Sequence, residues 1–137
     1  RGWRDLHARP HLPRRLTPKR RMTTRKDAIA ACMLEDAYED YPFDDANWTI
    51  MRHRRGDKIF AMIFERAGHI WLNLKETPEG CFILRELYPA VLPAYHMNKR
   101  HWVSVVLDGS MTDEEILPLI RKSYDLTAKK LRRAKNA

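Results

Sequence analysis

The sequence predicts an α+β domain, an antiparallel β-sheet with helices on one face, in the order α-β-β-β-α-β-α. Three observations predict it. The runs Trp48–His53, Lys58–Arg66 and His69–Lys75 have strand composition and are separated by the turn signals Arg54-Arg55-Gly56-Asp57 and Ala67-Gly68, so they form an antiparallel meander. Apolar residues at helical spacing bracket that meander, before it at Ala28–Met33 and after it along Pro78–Tyr88 and again beyond Thr112. Trp102–Leu107 is an apolar run of the length of one buried strand.

The first helix opens on Thr24, with Asp27 three positions on, and presents Ala28, Ile29, Cys32 and Met33 on one side. It ends near Leu34. In the second strand Phe60, Met62 and Phe64 face one way and Ile59, Ala61 and Ile63 the other, the pattern of a central strand covered on both sides. In the third, Ile70, Leu72 and Leu74 point into the core, leaving His69, Trp71, Asn73 and Lys75 on a partly open face. Pro78 lies in the first turn of the second helix and Pro89 stops it. After the last strand Asp108-Gly109 turns the chain. Thr112 with Glu115 is a capping box for a terminal helix whose spacing runs past Thr127, with Pro118 bending its first turns.

A chain of 137 residues fits one domain that buries about two-thirds of its unfolded surface. The two cysteines, Cys32 and Cys81, each lie in a helical apolar pattern and read as reduced core thiols of a cytoplasmic protein. No stretch approaches the roughly 18 apolar residues that cross a bilayer. The net charge of +8 is concentrated at the ends: residues 1–21 carry +7 and residues 129–137 carry +5, leaving −4 on residues 22–128. Residues 1–21, with Pro10, Pro13 and Pro18, have too little apolar material to order themselves and are expected to be a disordered basic extension. Met22 looks like a natural start, so that extension is expected to lie outside the native protein. Residues 22–128 form the domain, and the basic tail 129–137 is expected to continue the last helix.

Several chemistries are excluded. Five glycines, none at phosphate-loop or dinucleotide spacing, leave no nucleotide cofactor in view. His96 and His101 lack a cysteine or clustered carboxylate in their loop, so zinc is not indicated. Ser104 sits in mid-strand with no strained turn to present its hydroxyl to His101, which argues against a hydrolase, and no enzymatic activity or cofactor is expected. The carboxylates of Glu35–Asp45, interleaved with Tyr38, Tyr41 and Phe43, read as a solvated acidic loop, with a hard cation such as iron as the alternative. The richest concentration of ligand-type side chains is Tyr95, His96, Asn98, Lys99, Arg100 and His101, running directly into the strand that supports them.

That stretch, Pro93-Ala94-Tyr95-His96-Met97-Asn98-Lys99 followed after one residue by His101-Trp102, resembles the MmcQ/YjbR family of small bacterial proteins. Further landmarks fall in order: Asp36-Ala37-Tyr38-Glu39-Asp40-Tyr41-Pro42-Phe43, Trp48, Met51-Arg52-His53, Lys58-Ile59-Phe60-Ala61, Asn73-Leu74-Lys75, Leu107-Asp108-Gly109-Ser110 and Ser123-Tyr124. The resemblance implies a fold similar to bacterial frataxin (CyaY-like), with terminal helices flanking the sheet, and DNA binding through two hairpin wings. Arg52, Arg54, Arg55 and Lys58 would form one basic hairpin. Lys75, Lys99, Arg100 and His101 would form a second cluster if the last strand lies beside the third, with Asn73, Tyr95, His96 and Asn98 as neutral partners. The alternative partner for the same loop is a small anion or a protein carboxylate, held by Tyr95, His96, Asn98, Lys99, His101 and Lys75. DNA requires these cations on a convex surface, and a metabolite requires them to converge in a hollow.

Overall fold

The computed structural model describes residues 18–130. In chain order the elements are α1 (Arg25–Cys32), β1 (Ala37–Asp40), β2 (Thr49–His53), β3 (Ile59–Arg66), β4 (His69–Lys75), α2 (Pro78–Leu87), β5 (Val91–Pro93), β6 (Trp102–Leu107) and α3 (Asp113–Thr127). The strands form one six-stranded sheet in the order β1-β2-β3-β4-β6-β5, antiparallel at every pairing. The α+β class and the meander are as the sequence predicts, and the last long strand lies beside the third, the condition set for the second cationic cluster.

Local chemistry explains the boundaries. Thr24 accepts the Asp27 amide at 3.0 Å and Thr77 accepts the Gly80 amide at 3.0 Å, starting α1 and α2. Thr112 and Glu115 form the reciprocal capping box that starts α3. Ala67 and Gly68, at φ 53° and 82°, make the left-handed turn that joins β3 to β4 with the twist a hairpin needs. Pro118 is carried inside α3.

Four expectations change. Two short strands, β1 and β5, add to the sheet edges, so Ala37–Asp40 is a strand and not part of an acidic loop. A bulge opposite Met51/Arg52 breaks the alternation of β3. Phe60 therefore meets Tyr124 of α3 at 5.1 Å, while Phe64 lies on the other face, 4.3 Å from Trp48. The last helix ends at Thr127 and does not continue into the tail, because Ala128 is extended at φ −65°, ψ 142°. Residues 131–137 lie outside the described residues. So do residues 1–17 of the expected disordered extension, whereas residues 19–21 dock on the domain: the Arg20 carbonyl accepts the Asp113 amide and Lys19 meets Glu114 at 2.8 Å.

Register builds the core. Met51, Ala61, Leu74 and Val103 line up across four strands, and Ile63, Leu72 and Val105 form the next row. All of these are buried, as are Ala28 and Cys32 of α1 and Ile116 and Ile120 of α3, which cover this face. Burial pushes the Cys32 thiol up to about 12. The C-terminal half of α3 is fastened by polar bonds: Ser123 Oγ donates to the Phe60 carbonyl and accepts the Lys75 amide, and His53 Nε2 lies 2.9 Å from Thr127 Oγ1. The landmarks around His53 and Ser123-Tyr124 thus serve the joint between helix and sheet.

Two outcomes are expected. Ser123→Ala leaves the Lys75 amide and Phe60 carbonyl without their buried partner and costs about 1–3 kcal/mol in urea unfolding. Burial lowers the His53 pKa below its ordinary 6.5, so the unfolded chain binds the proton more readily. The resulting stability is complete above pH 6.5 and is lost as pH falls from there toward the lowered folded value. A His53→Gln variant should show a flatter stability curve over that window.

Candidate functional site

The loop between β5 and β6 is placed by two buried polar residues on neighbouring strands. Asn73 of β4 stands directly opposite Ser104 of β6, and both are inaccessible to solvent. Ser104 Oγ donates to Asn73 Oδ1, Asn73 Nδ2 donates to the Tyr95 carbonyl at 2.9 Å, and the Tyr95 amide donates to Ser104 Oγ at 2.9 Å. This closed circuit lays the Tyr95 ring 5.6 Å from Phe64, and the Arg66 guanidinium caps it at 4.2 Å and Trp71 at 4.7 Å. The half of the sheet expected to be open is therefore covered by its own loop. Beyond Tyr95, His96 turns the chain at φ 61°, and Asn98 Oδ1 accepts the amides of Arg100 and His101 at 2.8 and 3.2 Å.

Several residues read as ligand contacts are consequently structural. Asn73 is not available to an external ligand. Tyr95 spends its backbone groups and Asn98 its side-chain oxygen on shaping the loop, although Asn98 itself is exposed. Arg52, read as part of the basic hairpin, pairs with Asp40 at 2.8 Å and donates to the Asp57 carbonyl at 2.9 Å, which ties β1 to the turn. His96 is exposed on the rim of a cleft of about 390 Å³ whose walls include Phe43, Trp48, Met62 and Met97. That cleft carries Asp45 and no lysine or arginine, so it is not built for an anion. Its lining takes in His96 but none of Tyr95, Lys75, Lys99 or His101.

The remaining cations collect at one end of the sheet. The β2–β3 turn, the end of β4 and the start of β6 lie together by register, bringing Arg54, Arg55 and Lys58 to the same end as Lys75, Lys99 and Arg100. The C-terminus of α3 arrives there too: a Cβ on Gly56 would lie 3.4 Å from the Lys129 side chain. Among the described residues none of these eight cations is in an ion pair. Arg54 lies 5.2 Å over the Tyr38 ring and Lys75 5.5 Å over Trp102, contacts that orient both side chains. The His101 carbonyl accepts the Glu76 amide at 3.0 Å, joining the second cluster to the end of β4.

The acidic segment behaves differently from a cation site. Glu35 meets Arg121 at 3.1 Å, Asp40 meets Arg52, and Glu39 accepts the Tyr41 hydroxyl at 2.7 Å. Among the described residues no group of three histidine, cysteine or carboxylate side chains is arranged to hold a metal ion. No helix there is long and apolar enough to cross a membrane.

A family model described as YjbR matches residues 33–126, from the residue after α1 to the last turn of α3. The chain belongs to the YjbR family. The protein named uncharacterized protein YjbR in Escherichia coli K12 is 34% identical over 101 residues, covering 74% of this chain and 84% of its own length. Uncharacterized protein YyaQ of Bacillus subtilis is 36% identical over 99 residues, covering 64% of this chain and 83% of that protein. Among solved structures, a Deinococcus radiodurans protein with a DUF419 domain superposes with TM-score 0.72 at 33% identity, covering 83% of this chain and 85% of that one. A Pseudomonas syringae protein superposes at 0.68 and 32%, covering 77% and 99%. The YjbR span contains the whole Asn73–Ser104–Tyr95 circuit and the β2–β3 turn, while Lys129 and Lys130 lie beyond it.

Removing the centre of that circuit should loosen the loop and leave the remaining core in place. Asn73→Ala is expected to cost about 1–3 kcal/mol and to accelerate amide hydrogen exchange at Tyr95, read by exchange mass spectrometry.

Proposed function

We propose that this YjbR-family chain binds duplex DNA, contacting phosphates with the cationic end of its sheet. The supporting observation is the gathering of Arg54, Arg55, Lys58, Lys75, Lys99, Arg100, Lys129 and Lys130 at one end with no carboxylate paired to them among the described residues. Three strand spacings of about 4.8 Å separate β2 from β6, so the row spans about 14 Å, roughly four base-pair rises of 3.4 Å. Side chains at its two ends can thus reach successive phosphates of one duplex. The β2–β3 turn is the better wing, because its tip residues Arg54 and Arg55 are exposed. The −4 balance of residues 22–128 is a sum over the whole fold, and what bears on binding is where the charge sits, with these cations gathered at one end of the sheet.

Affinity carried by phosphates must depend steeply on salt, at about 0.9 logarithmic units per contact on B-DNA. The full chain and its Arg54→Ala/Arg55→Ala/Lys58→Ala variant share both terminal runs, so their difference isolates the wing. The variant is expected to flatten the slope of log affinity against log salt by about two to three units in fluorescence anisotropy with a labelled duplex. Equal slopes would remove the β2–β3 turn from the interface.

A further inference from the structure

The most anomalous surface on the molecule lies away from the β2–β3 wing, on α2. Its inner side buries Cys81 against the sheet, yet its outer side leaves Phe82 60%, Ile83 52% and Leu87 63% exposed. Large apolar side chains gathered on one helix in this way mark a surface that something covers. Beside it, a cleft of about 690 Å³ opens between the first turns of α2 and the Lys99-Arg100 part of the loop. Phe82, Ile83 and Arg85 line it from the helix and Lys99 and Arg100 from the loop, with Glu79 as the one carboxylate in the lining. Arg85 donates to the Lys99 carbonyl at 3.3 Å, which ties the loop to the helix.

We infer that this cleft docks an acidic peptide segment of a partner protein, its apolar side chains seated on Phe82, Ile83 and Leu87 and its carboxylates facing Arg85, Lys99 and Arg100. Each half of the lining selects against an alternative occupant. A nucleic-acid backbone would satisfy the cations and leave the phenylalanine and isoleucine side chains uncovered. A second copy of this chain related by a two-fold axis would bring this lining against itself, three cations and one carboxylate from each copy, leaving the cations in excess. An acidic amphipathic segment complements both halves. Ile83 and Leu87 are one helical turn apart, about 5.4 Å, which suits anchors on successive turns of a bound helix.

The test uses the full chain and two fluorescein-labelled peptides, one with glutamate and aspartate around leucine and phenylalanine anchors, the other with lysine in place of every acidic residue. The acidic peptide should bind saturably in anisotropy titrations and the lysine peptide about tenfold or more weakly. Phe82→Ser/Ile83→Ser and, separately, Arg85→Glu should each weaken the acidic peptide about tenfold without moving the unfolding midpoint. The Arg54→Ala/Arg55→Ala/Lys58→Ala variant should bind that peptide as the parent does, which keeps this outcome separate from the DNA reading. Absence of saturable binding by the acidic peptide, equal binding by both peptides, or indifference to Phe82→Ser/Ile83→Ser would overturn the inference. So would a dimer in sedimentation velocity that Phe82→Ser/Ile83→Ser dissolves, since the second copy would then be the occupant.

Discussion

The structure depends on a polar circuit buried where an apolar contact would be expected. Asn73 and Ser104 face each other on the neighbouring strands β4 and β6, and between them they hold both backbone groups of Tyr95. A buried amide is costly unless satisfied, and here the loop supplies the missing partners. The cost of leaving Asn73 unpaired is what commits the chain after β5 to cross the sheet at this position and no other. Once Tyr95 is fixed, its ring completes the stack with Phe64, Trp48 and Trp71 and closes a second small core on the face away from the helices.

That constraint decides which side chains can act outwardly. Residues up to Asn98 are consumed in making the cover, while Lys99 and Arg100 emerge where the loop turns back toward β6. Antiparallel pairing then brings them to the end of the sheet that carries Lys75 and the β2–β3 turn, and α3, fastened through Ser123 and Thr127, delivers Lys129 to Gly56. The cationic end is thus the sum of three separate segments. A polyanion is the complement of such an array, whereas the α2 cleft, with an apolar wall beside its cations, suits a peptide.

Much of this was legible in the sequence. Turn chemistry at Ala67-Gly68, the Thr112/Glu115 capping box and the alternation of β4 fixed the meander and terminal helix, and the loop motif pointed to the family that the YjbR match covers. The two edge strands were hidden for physical reasons. Ala37–Asp40 carries Glu39 and Asp40 because an edge strand tolerates solvated carboxylates, and Val91–Pro93 has only three residues, ending in a proline. Missing β1 is also why Arg52 read as a free cation, since Asp40 reaches it only through the β1–β2 pairing. The fate of Asn73 rests on register: nothing in the chain announces that residue 73 will stand opposite residue 104, and without that fact an asparagine beside a lysine looks like a ligand contact. The bulge at Phe60 was equally silent, since its residues fit unbroken alternation.

In the proposed function the polar circuit turns the loop into a cover and the cationic end of the sheet is the nucleic-acid surface. Amide chemical-shift mapping of the isotope-labelled full chain with a short duplex tests it most directly. The account predicts shifts at Arg54–Lys58, Lys75, Lys99–His101 and Lys129–Lys130, with Asn73, Tyr95 and Ser104 unmoved. Shifts centred on the cleft of Phe43, Trp48, Met62 and Met97, or confined to the terminal runs, would contradict it.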